Sequence, residues 1–361
     1  MTGRPPRSGR MALAAVLALL SLPVLLALVE AVVYRVHNRS NGAIGSSGLK
    51  REYVLYVPKS YHRGKAAPLV ISMHGAGLWG AGQRDVSQWN RVADEHGLIV
   101  VYPSGTKGDG PRHWNMDGED GEREVGFISD LIDTLRAAYN IDSTRIYADG
   151  LSNGGGMAFV LSCTLSDRIA AVGLVGSAQL LPWDSCKDPR PVPMIAFHGT
   201  ADEFTPYRGG KTFIAPRAFP SIPGWTANWA RRNRCAPTPI DSAVAPDVSR
   251  RSYTRCADGA DVVLYTIHGG GHTWPGGGCR LRTRLLSDLR DLAAVRSGGM
   301  GLRRPFRRVD RRLPAWVCGT VHADVVAKIN AEDAPRRRRH AAPPSVPRTT
   351  PAREHPAQAA R

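Results

Sequence analysis

The α/β class, a mostly parallel β-sheet with helices on both faces, is what this sequence predicts. Two observations carry that expectation. Short apolar runs alternate with longer stretches of helical periodicity, and several of the runs end in glycine-rich turns. Residues 52–57 alternate as a half-buried strand does. Residues 68–73 form a continuous apolar run, the mark of a strand buried on both faces, and lead into His74-Gly75-Ala76-Gly77. Residues 86–96 read as a helix and 98–102 as a strand stopped by Pro103. Over 125–139 the apolar positions Phe127, Ile128, Leu131, Ile132 and Leu135 recur at helical spacing. Residues 145–148 read as a strand leading to Gly150, and 154–166 as the helix that follows. Further buried strands are expected at 170–175, 192–197 and 262–267, the third running into a glycine cluster. In such a sheet the reactive loops gather at the carboxyl ends of the strands.

Charge is distributed unevenly. The net charge is +17, of which residues 280–361 contribute +12 and residues 1–39 contribute +4, leaving +1 for 40–279. The basicity belongs to the ends, so nucleic-acid binding by the middle of the chain has no electrostatic support. Arg4, Arg7 and Arg10 precede an apolar run over 11–34 that is broken only by Ser21, Pro23 and Glu30. That pattern predicts export. Residues 1–35 would be a signal peptide or, because the run is long enough to span a bilayer, an uncleaved anchor that contacts the membrane. The polar stretch 36–49 reads as a linker and 50–279 as the folded domain, expected as a monomer. The tail 280–361, rich in Arg, Pro and Ala, lacks the apolar periodicity to pack a core and is expected to be disordered. Six cysteines suit an exported chain. Cys163 with Cys186, flanking one αβ unit, and Cys235 with Cys256, flanking an irregular stretch, are expected as disulfides. Cys279 and Cys318 have no obvious partner except each other.

The chemistry centres on Gly150-Leu151-Ser152-Asn153-Gly154, a G-x-S-x-G pentapeptide between a strand and a helix. Its glycines permit a sharp turn that lifts a serine above the sheet edge onto a helix N-terminus. A serine hydroxyl becomes a useful nucleophile when an imidazole takes its proton and a carboxylate fixes that imidazole. In this strand–turn–helix setting the chain order is serine, acid, histidine. Asp202 follows the strand at 192–197 and His272 follows the strand at 262–267, so both fall on loops at carboxyl ends. Glu203 is the rival acid, and His198 and His268 are rival bases, expected instead as structural histidines at strand ends. The two oxyanion donors are expected from the backbone amides of Asn153 and Ala76. Trp114, Trp274 and Trp79 are candidate substrate walls, with core packing as the alternative for each. The chemistry needs no cofactor, and His198, His268 and His272 have no metal-ligand spacing.

Several segments together resemble the polyhydroxybutyrate depolymerase and feruloyl/acetylxylan esterase family of α/β-hydrolases, carbohydrate esterase family 1 and its bacterial relatives. They are PLVISMHG (68–75), Trp114-Asn115, Val125-Gly126-Phe127-Ile128 and GLSNG (150–154). HGTAD (198–202), Pro206-Tyr207 with Gly209-Gly210, and GHTWPG (271–276) complete the set. The resemblance covers about residues 53–278. It implies an α/β-hydrolase fold, a Ser152–His272–Asp202 triad and an acyl-enzyme, and it supports both cysteine pairs. The implied substrate is a carboxylic ester with a short acyl, feruloyl-like or hydroxyalkanoate group, met outside the cell or at its surface. A polyester depolymerase is one alternative. The sequence after Cys279 departs from the family, with Arg outnumbering Lys by 18 to 1. It reads as an out-of-frame or otherwise atypical translation, with a basic wall- or membrane-associating tail as the rival. An impaired product of a truncated hydrolase gene is therefore the other alternative.

Overall fold

The computed structural model describes residues 28–275, except 30–31, 34, 108–109, 179–180, 182–185, 187–189 and 216. All of them fall in the first of two units, Met1–Arg312. The expected signal or anchor run lies mostly outside the described residues, as do the tail, Cys279 and Cys318. Among the described residues no helix is long and apolar enough to cross a membrane.

Among the described residues ten strands form one sheet in the order β1-β2-β4-β3-β5-β6-β7-β10-β9-β8. They are β1 (Gly42–Ser46), β2 (Leu49–Tyr56), β3 (Ala67–Met73), β4 (Ile99–Pro103), β5 (Ile141–Leu151), β6 (Ala171–Val175), β7 (Met194–Gly199), β8 (Ile240–Ala245), β9 (Val248–Tyr253) and β10 (Val262–Ile267). The strands from β4 to β10 in that order pair in parallel, and an antiparallel pair closes each edge. Helices α1 (Gly80–Ser87), α2 (Trp89–His96), α3 (Gly118–Ala138), α4 (Asn153–Thr164) and α5 (Ile222–Arg232) connect them.

Side-chain alternation on the central strands sorts the core into two layers. Leu69, Ile71 and Met73 of β3 pack in one cluster with Phe127 and Leu131 of α3, Phe159 of α4 and Trp225 and Trp229 of α5. Val70, Val100 and Tyr102 fall outside that cluster and are equally buried, with Ala81, Val92 and Ala93 of α1 and α2. Both faces are therefore covered, which is why β3 reads as an unbroken apolar run.

The structure departs from the sequence reading at three places. The helix read over 86–96 is two helices, because Gln88 takes a left-handed φ of 56° and ends α1 through its N–H to the Arg84 carbonyl. Part of the linker is β1, paired with β2 along its whole length. The irregular stretch between Cys235 and Cys256 is the β8–β9 hairpin. Its outer strand is exposed and carries no apolar alternation, and Arg251 pairs across to Asp241 at 2.7 and 2.8 Å. Disulfides join Cys163 to Cys186 and Cys235 to Cys256. Each closes a loop of about twenty residues, for which chain entropy gives roughly 3 kcal/mol.

Candidate active site

The chain leaves β3 toward β4 on one side and β5 toward β6 on the other, so the sheet order reverses between β3 and β5. A crevice opens at the carboxyl ends of strands at such a point. Met73 of β3 stands opposite Gly150 of β5, and the loops after both strands share that rim.

Ser152 occupies the turn between β5 and α4 with φ 53° and ψ −118°, a strained conformation for a residue with a side chain. Both glycines of the pentapeptide are needed there for lack of room. A Cβ on Gly150 would lie 2.2 Å from the Gly154 carbonyl carbon, and one on Gly154 would lie 2.3 Å from the Met73 oxygen. The Ser152 N–H donates to the Val175 carbonyl at 2.8 Å, which fixes the turn against the end of β6. Ser152 thus sits at the N-terminus of a 12-residue helix, where the helix dipole favours developing negative charge.

Asp202 and His272 pair next to Gly176, just past the end of β6. His272 Nδ1 lies 2.8 Å from Asp202 Oδ2. A Cβ on Gly176, the residue after Val175, would lie 3.2 Å from His272 Nδ1 and 3.5 Å from Asp202 Oδ2. The imidazole and carboxylate therefore rest on the backbone next to the one that holds Ser152. The two loops meet closely because Gly199 lacks a side chain, since a Cβ there would lie 2.2 Å from the Gly270 oxygen. The Ala201 N–H donates to that same oxygen at 2.8 Å.

The Asp202 side chain is fully buried. Burial alone would raise its carboxyl, but donors outweigh it and hold the group below the usual carboxylate range. Those donors are His198, His272 and the backbone N–H of Thr205, the last at 2.8 Å to Oδ1. His198, itself buried, has Nε2 2.7 Å from the Thr205 carbonyl and 3.3 Å from Asp202 Oδ2. It is a second imidazole against that carboxylate, while His272 is the one that also lies beside Gly176. His268 pairs with Ser249 at 3.0 Å, and Glu203 is exposed.

On the other side of the crevice, the Gly77 N–H is taken by the Arg112 carbonyl at 2.8 Å. Among the described residues no carbonyl accepts from the amides of Ala76 and Asn153. The loop carrying Ala76 is anchored by His74. Its Nδ1 donates to the Gly75 carbonyl at 2.8 Å, and its Nε2 accepts from the Gly105 N–H at 3.0 Å. Burial pushes the His74 imidazole down to about 4, so at neutral pH it stays uncharged and keeps both bonds.

Residues 51–181 match the family described as esterase PHB depolymerase. The chain is 32 % identical over 237 residues to feruloyl esterase B of Piromyces equi, covering 62 % of this chain and 42 % of that protein. It is 30 % identical over 260 residues to a protein of Nocardia uniformis subsp. tsuyamanensis named "Putative esterase NocK", covering 64 % of this chain and 72 % of that one. The chain belongs to the esterase PHB depolymerase family. An acetyl xylan esterase from Aspergillus awamori shares its fold, with a TM-score of 0.51 at 16 % identity over 69 % of this chain and 97 % of the other. That fold is the α/β-hydrolase fold. The family match contains the Ala76 loop and Ser152, while Asp202 and His272 lie beyond residue 181.

Within this family member two of the three tryptophans follow the core-packing alternative. Trp114 is 1 % exposed and serves the scaffold: its indole donates to the His74 carbonyl at 3.1 Å and its ring stacks near Phe127. Trp274 is also buried, at 5 % exposure. Neither presents a flat wall to solvent. Trp79 is half-buried and lines a cavity beside the Ala76 loop. Sequence reasoning also passed over the Asn153 side chain, which clamps the Trp114 backbone by accepting from its N–H at 2.6 Å and donating to its carbonyl at 3.0 Å. Asp149, just before the pentapeptide, was missed too. It is fully buried with the Trp89 indole donating at 2.5 Å, and burial pushes its carboxyl up to about 7.

Proposed function

We propose that this chain is an exported serine esterase that hydrolyses carboxylic esters through Ser152, His272 and Asp202. The observation that carries this reading is the His272–Asp202 pair resting on Gly176, one residue from the carbonyl that holds the strained Ser152 turn. His272 Nε2 takes the Ser152 proton as Oγ attacks the ester carbonyl, while Asp202 stabilises the imidazolium through Nδ1. The Ala76 and Asn153 amides receive the oxyanion, and helix α4 adds its positive end. Collapse expels the alcohol with the proton from His272, leaving an acyl-enzyme. A water activated by the same imidazole then releases the acid and restores Ser152.

Esterases among the relatives by name, the family match and the two disulfides support this reading and an extracellular setting. Short acyl, feruloyl-like and hydroxyalkanoate esters are the substrates it predicts. Rapid mixing of the purified full chain with 4-nitrophenyl acetate is the test. A burst of nitrophenol about equal to the enzyme concentration should precede steady turnover. Turnover of no ester in a panel spanning these acyl groups would overturn the proposal.

A further inference from the structure

A cavity of about 660 Å³ opens directly beside the Ala76 loop, with Gly77, Leu78 and Trp79 forming part of its wall. Its chemistry is unlike that of the surrounding domain. Residues 40–279 carry a net charge of only +1, yet Lys50, Lys107 and Arg112 all line this one cavity, together with Arg39 from just before that range. Among its described lining residues the only acid is Glu52, which pairs with Lys50 at 3.7 Å. Arg112 is committed in part, since its Nη1 donates to the Gly105 carbonyl at 2.7 Å. Arg39 and Lys107 have no ion-pair partner among the described residues. A concave wall with four cations against one carboxylate focuses a positive field on whatever enters it.

We propose that this cavity is an anion subsite contiguous with the oxyanion loop, so that the enzyme favours esters bearing a carboxylate close to the scissile bond. The inference rests on the esterase reading and names its substrate class. A carboxylate on either arm of the ester would gain from Arg39 and Lys107 in the ground state and in the transition state alike. The preference should therefore appear mainly in KM, and it should weaken with salt, because charges at an open cavity are screened.

Two matched pairs of chromogenic esters test this on the full chain. For the acyl arm they are 4-nitrophenyl hemiglutarate and its methyl ester, and for the alcohol arm 4-acetoxy-3-nitrobenzoate and its methyl ester. The comparison is between wild type and the Arg39→Gln/Lys107→Gln variant. Arg112 is left intact because its backbone and side chain both hold the loops around the site. In one of the two pairs, the anionic-to-neutral ratio of kcat/KM should fall about tenfold in the variant. Raising the salt from 0.02 to 0.5 M should erode the same ratio in wild type, a readout that does not depend on how the variant folds. The arm that responds identifies which side of the ester enters the cavity. Ratios unchanged by the substitutions and by salt in both pairs would overturn the subsite while leaving the esterase reading intact. No turnover of any of the four esters would sink both.

Discussion

Replacing Ser152 by alanine is expected to lower kcat for 4-nitrophenyl acetate by about 10⁴-fold or more, with no loss of the fold. The size of the effect follows from the division of labour at the crevice. In the proposed mechanism His272, Asp202 and the two amide donors assist an attack that only the Ser152 oxygen delivers, so without it they would leave little beyond ordinary hydrolysis. The fold should tolerate the change because the serine hydroxyl makes no capping hydrogen bond to helix α4. The turn is held instead by its backbone bond to Val175 and by the close packing at Gly150 and Gly154. Alanine pays the same conformational penalty at φ 53° that serine does. Thermal unfolding of the variant should match wild type, and steady-state kinetics should not. A variant retaining a tenth of the activity would remove Ser152 from its role.

Asp202→Asn is expected to cost on the order of 10⁴-fold in kcat, again with substrate binding little altered. Asparagine keeps the shape but can present an N–H to His272 Nδ1, which favours the wrong tautomer and strands the proton on the nitrogen that should receive it from serine. The imidazolium formed during attack would also lose its counter-charge. This substitution has a second signature. Asp202 is held below the ordinary carboxylate range, so its ionised form stabilises the fold at pH values above about 4 and that contribution fades as pH falls below it. Wild type should therefore lose stability more steeply than Asp202→Asn in mild acid. Unfolding midpoints measured between pH 3 and pH 7 check the sign.

The central parallel strands were legible because burial on both faces leaves an unmistakable apolar run, as in β3, and because glycine clusters mark where the strands end. The order of Ser152, Asp202 and His272 was legible for the same reason, since each residue follows a buried strand. What the sequence concealed depends on local geometry or on exposure. The break at Gln88 rests on one left-handed residue that is not a glycine. The β8–β9 hairpin is an exposed edge held by Arg251–Asp241 and so shows no apolar alternation. Trp114 looked like a substrate wall because its ring is large and near the motif, but its indole N–H is used to hold the His74 carbonyl. Hydrogen-bond partners of this kind are fixed by tertiary contacts, and no pattern along the chain announces them.

Treating the full chain with a fluorophosphonate probe and mapping the modified peptide puts the central claim to its most direct test. The account predicts one label per molecule, on the Ser152 hydroxyl, with none taken up by Ser152→Ala. A label on another serine, or labelling that persists in that variant, would contradict it.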